Sequence, residues 1–204
     1  LEAMRYHKLG CTVILIGHKG HPEVAGTMGQ LPEGAMVLIQ TVADVASVPV
    51  ADPGKVAFLT QTTLSVDETK AIIAALRERF PSIQGPSKDD ICYATQNRQN
   101  AVKELSPGVD ALFVLGSPNS SNSNRLRELA QTMGAKAYLV ESAGDIRPEW
   151  LEGVRRAGVT AGASAPEILV RDVAERLRQD GGTVEEMALV PEHVTFALPP
   201  ELTR

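Results

Sequence analysis

The feature that most constrains this chain is an alternation. Short runs of β-branched and other apolar residues are followed by polar loops and then by amphipathic stretches. The strand candidates are 12–16 (TVILI), 36–40 (MVLIQ), 55–60 (KVAFLT), 109–115 (VDALFVL), 136–140 (KAYLV) and 193–198 (HVTFAL). Several are continuously apolar, which suits strands covered by helices on both faces. Among the helices, 66–80 opens with the S-x-x-E pattern of Ser65 and Glu68, a capping box. It places Ile72, Ile73, Leu76 and Phe80 on one face, and Pro81 stops it. Residues 166–179 start with Pro166, present Ile168, Leu169, Val173 and Leu177 on one face, and end at Gly181-Gly182. Segments 95–105, 123–133 and 148–156 also read as helices.

The expected fold is therefore α/β: two similar small domains with mostly parallel sheets flanked by helices. The stretch PSIQGPSKDD (81–90) carries two prolines and a glycine between the two sets and marks the boundary, giving domains 1–85 and 86–204. With 204 residues and 43% hydrophobic content the chain can bury a core in each. Its formal charge of −5, without long Lys/Arg runs, argues against a nucleic-acid or anionic-membrane surface. No apolar run approaches the roughly 20 residues of a membrane helix. Two cysteines, Cys11 and Cys92, are too few for a disulfide scaffold, and no CxxC suggests structural zinc.

In parallel α/β sheets, ligands bind at the carboxyl ends of strands, in the loops that lead into helices. Five such loops here are rich in chemistry-bearing residues: GHKGHPEVAGT (17–27), TQTTLS (60–65), DDICYAT (89–95), GSPNSSNSN (116–124) and TAGASAP (160–166). The Ser/Asn loop offers hydroxyls, amides and backbone N–H groups at a helix N-terminus, an anion site that needs no lysine. A single cap explains one such residue rather than seven. In TAGASAP, Gly162 permits close backbone approach and Ser164 can cap or bind. Thr60, Thr62 and Thr63 stand at a strand end, where capping is the ordinary role.

GHKGHPE is the densest cluster. His18, His21 and Glu23 suit a zinc or iron set, or a tuned carboxylic acid for proton transfer. Ordinary loop histidines are the plain alternative. Cys92 precedes a helix, where a thiolate is favoured as nucleophile or metal ligand, although most free cysteines are simply buried. Cys11 lies at the other end of strand 12–16, roughly 17 Å from the histidine loop, and is not expected to share its site. His7 and His193 stand alone.

Five motifs occur in order: H-x-G-H-P-E-V-x-G-T-M-G-Q, T-Q-T-T-L-S-V-D-E-T, D-D-I-C-Y-A-T-x-N-R-Q, G-S-x-N-S-S-N-S-N-R-L and G-V-T-A-G-A-S-A-P. Together they resemble the 4-hydroxy-3-methylbut-2-enyl diphosphate reductase family of the methylerythritol phosphate route to isoprenoids, over essentially the whole chain. The resemblance implies a cytoplasmic enzyme that removes an allylic hydroxyl reductively, giving isopentenyl and dimethylallyl diphosphates. It implies a [4Fe–4S] cluster with Cys92 as one of three cysteine ligands, Glu23 as proton source, and Thr62 in a network with Glu23 and the substrate hydroxyl. It implies that His21, Ser120, Ser121, Asn122 and Ser164 grip the diphosphate, with Thr63 and Gln61 supporting them. Ferredoxin or flavodoxin is the implied electron donor.

Members of that family carry a further α/β domain ahead of this point, with two more cluster cysteines and two more histidines. The chain starts at Leu1 rather than Met, and the expectation is two of the family's three domains, inactive alone. Two other readings compete. One is a diphosphate-binding remnant without redox chemistry. The other is a metal-dependent hydrolase built from His18, His21 and Glu23.

Overall fold

The computed structural model describes residues 1–86 and 91–187. Among them, six strands form two separate three-stranded parallel sheets. The first holds β1 (Thr12–Ile16), β2 (Met36–Ile39) and β3 (Val56–Thr60) in the order β2-β1-β3. The second holds β4 (Ala111–Leu115), β5 (Lys136–Val140) and β6 (Ala157–Ala161) in the order β5-β4-β6. In each sheet the strand that comes first in the chain is central.

The continuous apolar runs have a direct physical reason. Successive side chains of a strand point to opposite faces. In β1, Val13 and Leu15 pack with Tyr6, Cys11 and Val24, on the side of α1 (Glu2–Lys8) and α2 (Pro22–Met28). Ile14 and Ile16 pack with Ile72, Leu76 and Phe80, on the side of α3 (Val42–Val45) and α4 (Val66–Arg79) and its C-cap. In β4, Leu112 and Val114 meet Val102 of α5 (Tyr93–Leu105) and Leu126 and Ala130 of α6 (Ser121–Thr132). Ala111, Phe113 and Leu115 meet Ile146 and Val173, the latter from α7 (Glu167–Gln179). Every strand is parallel to its neighbours, so the carboxyl ends of each sheet share one edge.

Several expectations change. Residues 148–156 form only a 3-10 turn, Pro148–Trp150, because Gly153 takes φ +72 and breaks any helical path. Ile168, placed on the apolar face of α7, is 61% exposed. Pro166 caps α7 rather than entering it. β6 (AGVTA) does not read as a strand because it is small: a Cβ at Gly158 would lie 2.7 Å from Leu112 Cδ1. In the boundary stretch, Gln84 adds a short parallel bridge to Ala57, and Gly85 O accepts from the Tyr6 hydroxyl at 2.6 Å. The strand expected at 193–198, His193, and residues 87–90 lie outside the described residues.

Ser123 shows how tightly the second sheet's edge is built. It is 1% exposed, and a Cβ on either Gly116 or Gly162 would run into its Oγ, at 2.0 and 2.2 Å. Two loops thus close on one small side chain of α6. Gly162→Ala should cost about 1–3 kcal/mol by overpacking and lower Tm by roughly 3–10 °C. Calorimetry checks this, and an unchanged Tm would contradict the close approach.

Candidate functional site

At the first sheet's edge, β1 runs into Gly17, where a Cβ would lie 2.6 Å from Val24 Cγ2, so the loop turns tightly into α2. His21 is the N-cap of α2, its Nδ1 accepting from the Glu23 N–H at 3.2 Å, and Pro22 follows at the first helical position. Glu23 therefore sits in the first turn, where a carboxylate suits the positive helix end. Its side chain crosses to the loop after β3. Thr62 N–H donates to Oε1 at 2.8 Å, and the Thr62 hydroxyl lies 3.1 Å from Oε2. Gln61, 1% exposed, supports both loops: Oε1 accepts from His18 N–H at 3.0 Å, and Nε2 donates to Thr63 Oγ1 at 3.0 Å.

At the second sheet's edge, Ser120 caps α6, accepting from Ser123 N–H at 3.3 Å. Asn124 Nδ2 donates to Pro118 O at 2.7 Å and to Ser120 O at 3.0 Å. Part of the Ser/Asn content therefore shapes its own loop. Asn122 differs. It is buried, and neither its amide nitrogen nor its oxygen has a partner. Ser164 stands exposed in the turn before α7.

The two edges meet. His21 Nε2 lies 2.5 Å from Ser121 Oγ. Because Nδ1 already accepts, the neutral ring carries its proton on Nε2 and donates it to the serine. His18 Nε2 lies 3.2 Å from Arg125 Nη2, and arginine can only donate, so His18 is neutral with Nε2 as acceptor. Burial, and next the Arg125 charge, hold the His18 pKa below the ordinary 6.5. This contact is present when His18 is neutral and weakens as pH falls through that lowered value. Arg125 also pairs with Glu128 at 3.3 Å and Glu68 at 3.5 Å. An open cleft of about 450 Å³ runs along this junction, lined by His18, Gln61, Thr63, Ser121, Asn124 and Arg125 among others.

The expected residues thus fall into groups. Glu23 with Thr62, and His21 with Ser121, are brought into contact. Ser120 and Asn122 lie in and beside that α6 terminus, while Thr63 bonds Gln61 instead. Cys92 is the exposed N-cap of α5, its N–H donating to Thr62 O at 3.1 Å, which ties it to the Glu23–Thr62 pair. Cys11 is 6% exposed, within the core beside Tyr6 and Val13. Among the described residues no group of three or more His, Cys, Asp or Glu could hold a metal ion. Three of the four ring nitrogens of His18 and His21 are engaged, by Arg125, Glu23 N–H and Ser121, which speaks against the hydrolase set. Arg125 carries no signal in the sequence, since an arginine in an N-S-N-R-L run reads as a solvated helix face.

A family model described as LytB protein matches residues 1–178. The chain is 60% identical, over 99% of its length, to the 4-hydroxy-3-methylbut-2-enyl diphosphate reductase of Azoarcus sp. (strain BH72), and covers 65% of that protein. It is 59% identical over 99% of its length to the protein of the same name from Aromatoleum aromaticum, again covering 65%. Among solved structures it is similar to the E-1-hydroxy-2-methyl-but-2-enyl-4-diphosphate reductase from Plasmodium falciparum. There the TM-score is 0.76 at 34% identity, over 83% of this chain and 52% of that one. The chain spans about 65% of the length of the two bacterial relatives.

Thiol labelling tests the two cysteine environments. An alkylating reagent should modify Cys92 in the native chain and reach Cys11 only after denaturation. Comparable native rates at both thiols would contradict the burial of Cys11.

Proposed function

The chain belongs to the LytB protein family, and from that membership and the site geometry we propose that it carries the acid–base and diphosphate-binding part of a reductase. The reaction converts (E)-4-hydroxy-3-methylbut-2-enyl diphosphate to isopentenyl or dimethylallyl diphosphate. Two electrons and two protons enter, the allylic C–O bond breaks, and water leaves. One observation carries the reading: the His21–Ser121 contact joins the Glu23–Thr62 pair to the N-terminus of α6. A proton donor and an anion site thereby stand at one junction.

The diphosphate is bound by the free N–H groups and positive end of α6, with His21 Nε2–H, Ser120, Ser121, Asn122 and Ser164 as side-chain donors and Thr63 in support. The unpartnered Asn122 amide is the one most in need of a ligand. Thr62 grips the Glu23 carboxyl at both oxygens and so fixes its direction. Its hydroxyl can donate to the carboxylate or accept from the acid, so it serves both protonation states. In the proposed division, domain 1–85 supplies Glu23, Thr62, His21 and Thr63, and domain 86–204 supplies the rest of the anion site.

The family's chemistry calls for a [4Fe–4S] cluster, and electrons from a donor such as ferredoxin or flavodoxin, in the cytoplasm. The residues of this chain do not fit a whole cluster. Such clusters are held by several thiolates, whereas this chain has two cysteines, one buried in the core. Of the two cysteines, the exposed Cys92 is the one suited to be a ligand.

Two outcomes test the proposal. In the complete reductase, Glu23→Gln should lower kcat by about 10²-fold or more while the Kd for inorganic diphosphate stays nearly unchanged. Equal loss of both would contradict the proton-donor role. Asn122→Ala should weaken inorganic diphosphate binding roughly tenfold in calorimetric titration. An unchanged Kd would remove Asn122 from the anion site.

A further inference from the structure

Helix α5 contributes Cys92 at its start, and two adjacent residues further along do something the reaction chemistry does not require. Gln99 is 1% exposed, and its amide is used at both ends. Oε1 accepts from Val66 N–H at 3.1 Å, and Nε2 donates to Leu64 O at 2.7 Å. Val66 is the first residue of α4, so its N–H is one of the four that a helix start leaves without an intrahelical partner. Ser65 Oγ satisfies another, at Glu68. Gln99 therefore completes the start of α4 from a different helix, and it grips the loop that two residues earlier carries Thr62. Cys92 N–H holds the same loop at Thr62 O. Arg98, next to Gln99 and about 100° around the helix, is committed elsewhere: Nη1 donates to Ala161 O at 3.0 Å, at the end of β6 and three residues before Ser164.

We infer that Arg98 and Gln99 are positioning residues that brace two loops independently, Gln99 the Thr62 loop of the first sheet and Arg98 the Ser164 loop of the second. Neither touches the proposed substrate groups. One rigid helix thus sets the spacing between the loop that holds Glu23 and the loop that completes the anion site. The assignment of purposes to those loops rests on the proposed function, but the brace itself does not.

The test is residue-resolved amide hydrogen exchange on the 204-residue chain, with inorganic diphosphate titrated in parallel. Gln99→Met keeps side-chain bulk and removes both bonds. It should lower protection at Val66 and Thr62 about tenfold, the value of one net hydrogen bond, and leave Gly162 and Ala165 unaltered. Arg98→Met should do the reverse, loosening Gly162 and Ala165, and should weaken diphosphate binding by roughly threefold or more while Gln99→Met does not. Should Gln99→Met fail to fold, Gln99→Glu decides. It keeps the acceptor for Val66 N–H but loses the donor to Leu64 O, so Thr62 should loosen more than Val66. Unchanged protection at Val66 in Gln99→Met, or equal loosening of both loops in either variant, overturns the inference. If the wild-type chain binds no diphosphate, the anion-site reading falls, and the exchange pattern still decides the brace.

Discussion

The imidazole of His21 is bonded at both nitrogens, and the candidate site depends on that double use. One nitrogen closes the first turn of α2, which fixes where Glu23 begins; the other reaches Ser121 at the start of α6, a hundred residues away. The first bond sets the start of the helix from which the Glu23 carboxyl reaches Thr62. The second brings the start of α2 directly onto the start of α6, beside the Arg125–His18 contact that also joins the two edges. Because Ser121 Oγ accepts from His21, its own hydroxyl hydrogen can turn to an anion, so the same bond that assembles the site leaves a donor beside it.

That convergence is possible because both sheets are built to one plan. Each puts its first strand in the centre, buries it on both faces and sends its loops out at one edge. The polar loops first meet the needs of the helices they enter: Ser120 and Ser65 cap, and Asn124 ties its own turn. What remains unmet afterwards is informative. The Asn122 amide has no partner although it is buried, which leaving a polar group unpaired makes costly by about 1–3 kcal/mol. By contrast, the Arg125 pairs with Glu68 and Glu128 involve exposed acids and contribute little stability. Their effect is geometric: Glu128 from the same helix and Glu68 from α4 flank the Arg125 guanidinium that reaches His18.

Much of the fold was legible from the chain. Runs such as TVILI and ALFVL are almost wholly apolar because neither face of the strand is wet, and α4 shows its Ser65 cap and Pro81 stop in the sequence, although Glu68 turns to Arg125 instead of closing a capping box. The failures share one cause, that tertiary packing overrides local pattern. AGVTA makes a strand because Leu112 and Leu105 fill the space above Gly158. Residues 148–156 have helical composition but are interrupted at Gly153. In the site, the residue types were readable and the pairings were not. Glu23 and Thr62 are 39 positions apart, and their contact follows from β1 and β3 being neighbours, which periodicity does not encode. Gln99 gave no signal at all, since a glutamine inside a helical pattern is indistinguishable from a solvated one until its two backbone partners are seen.

One junction through His21 joins the proposed acid to the proposed anion site. It is tested most directly by ¹⁵N NMR of the histidine rings as inorganic diphosphate is added to the chain. The expected spectra have His21 with Nδ1 unprotonated and Nε2 carrying hydrogen, and show a saturable shift of that ring together with the Ser121 and Asn122 amides. A His21 that stays unmoved while diphosphate perturbs another surface, such as the Arg155–Arg156 turn beside Asp110, would contradict it.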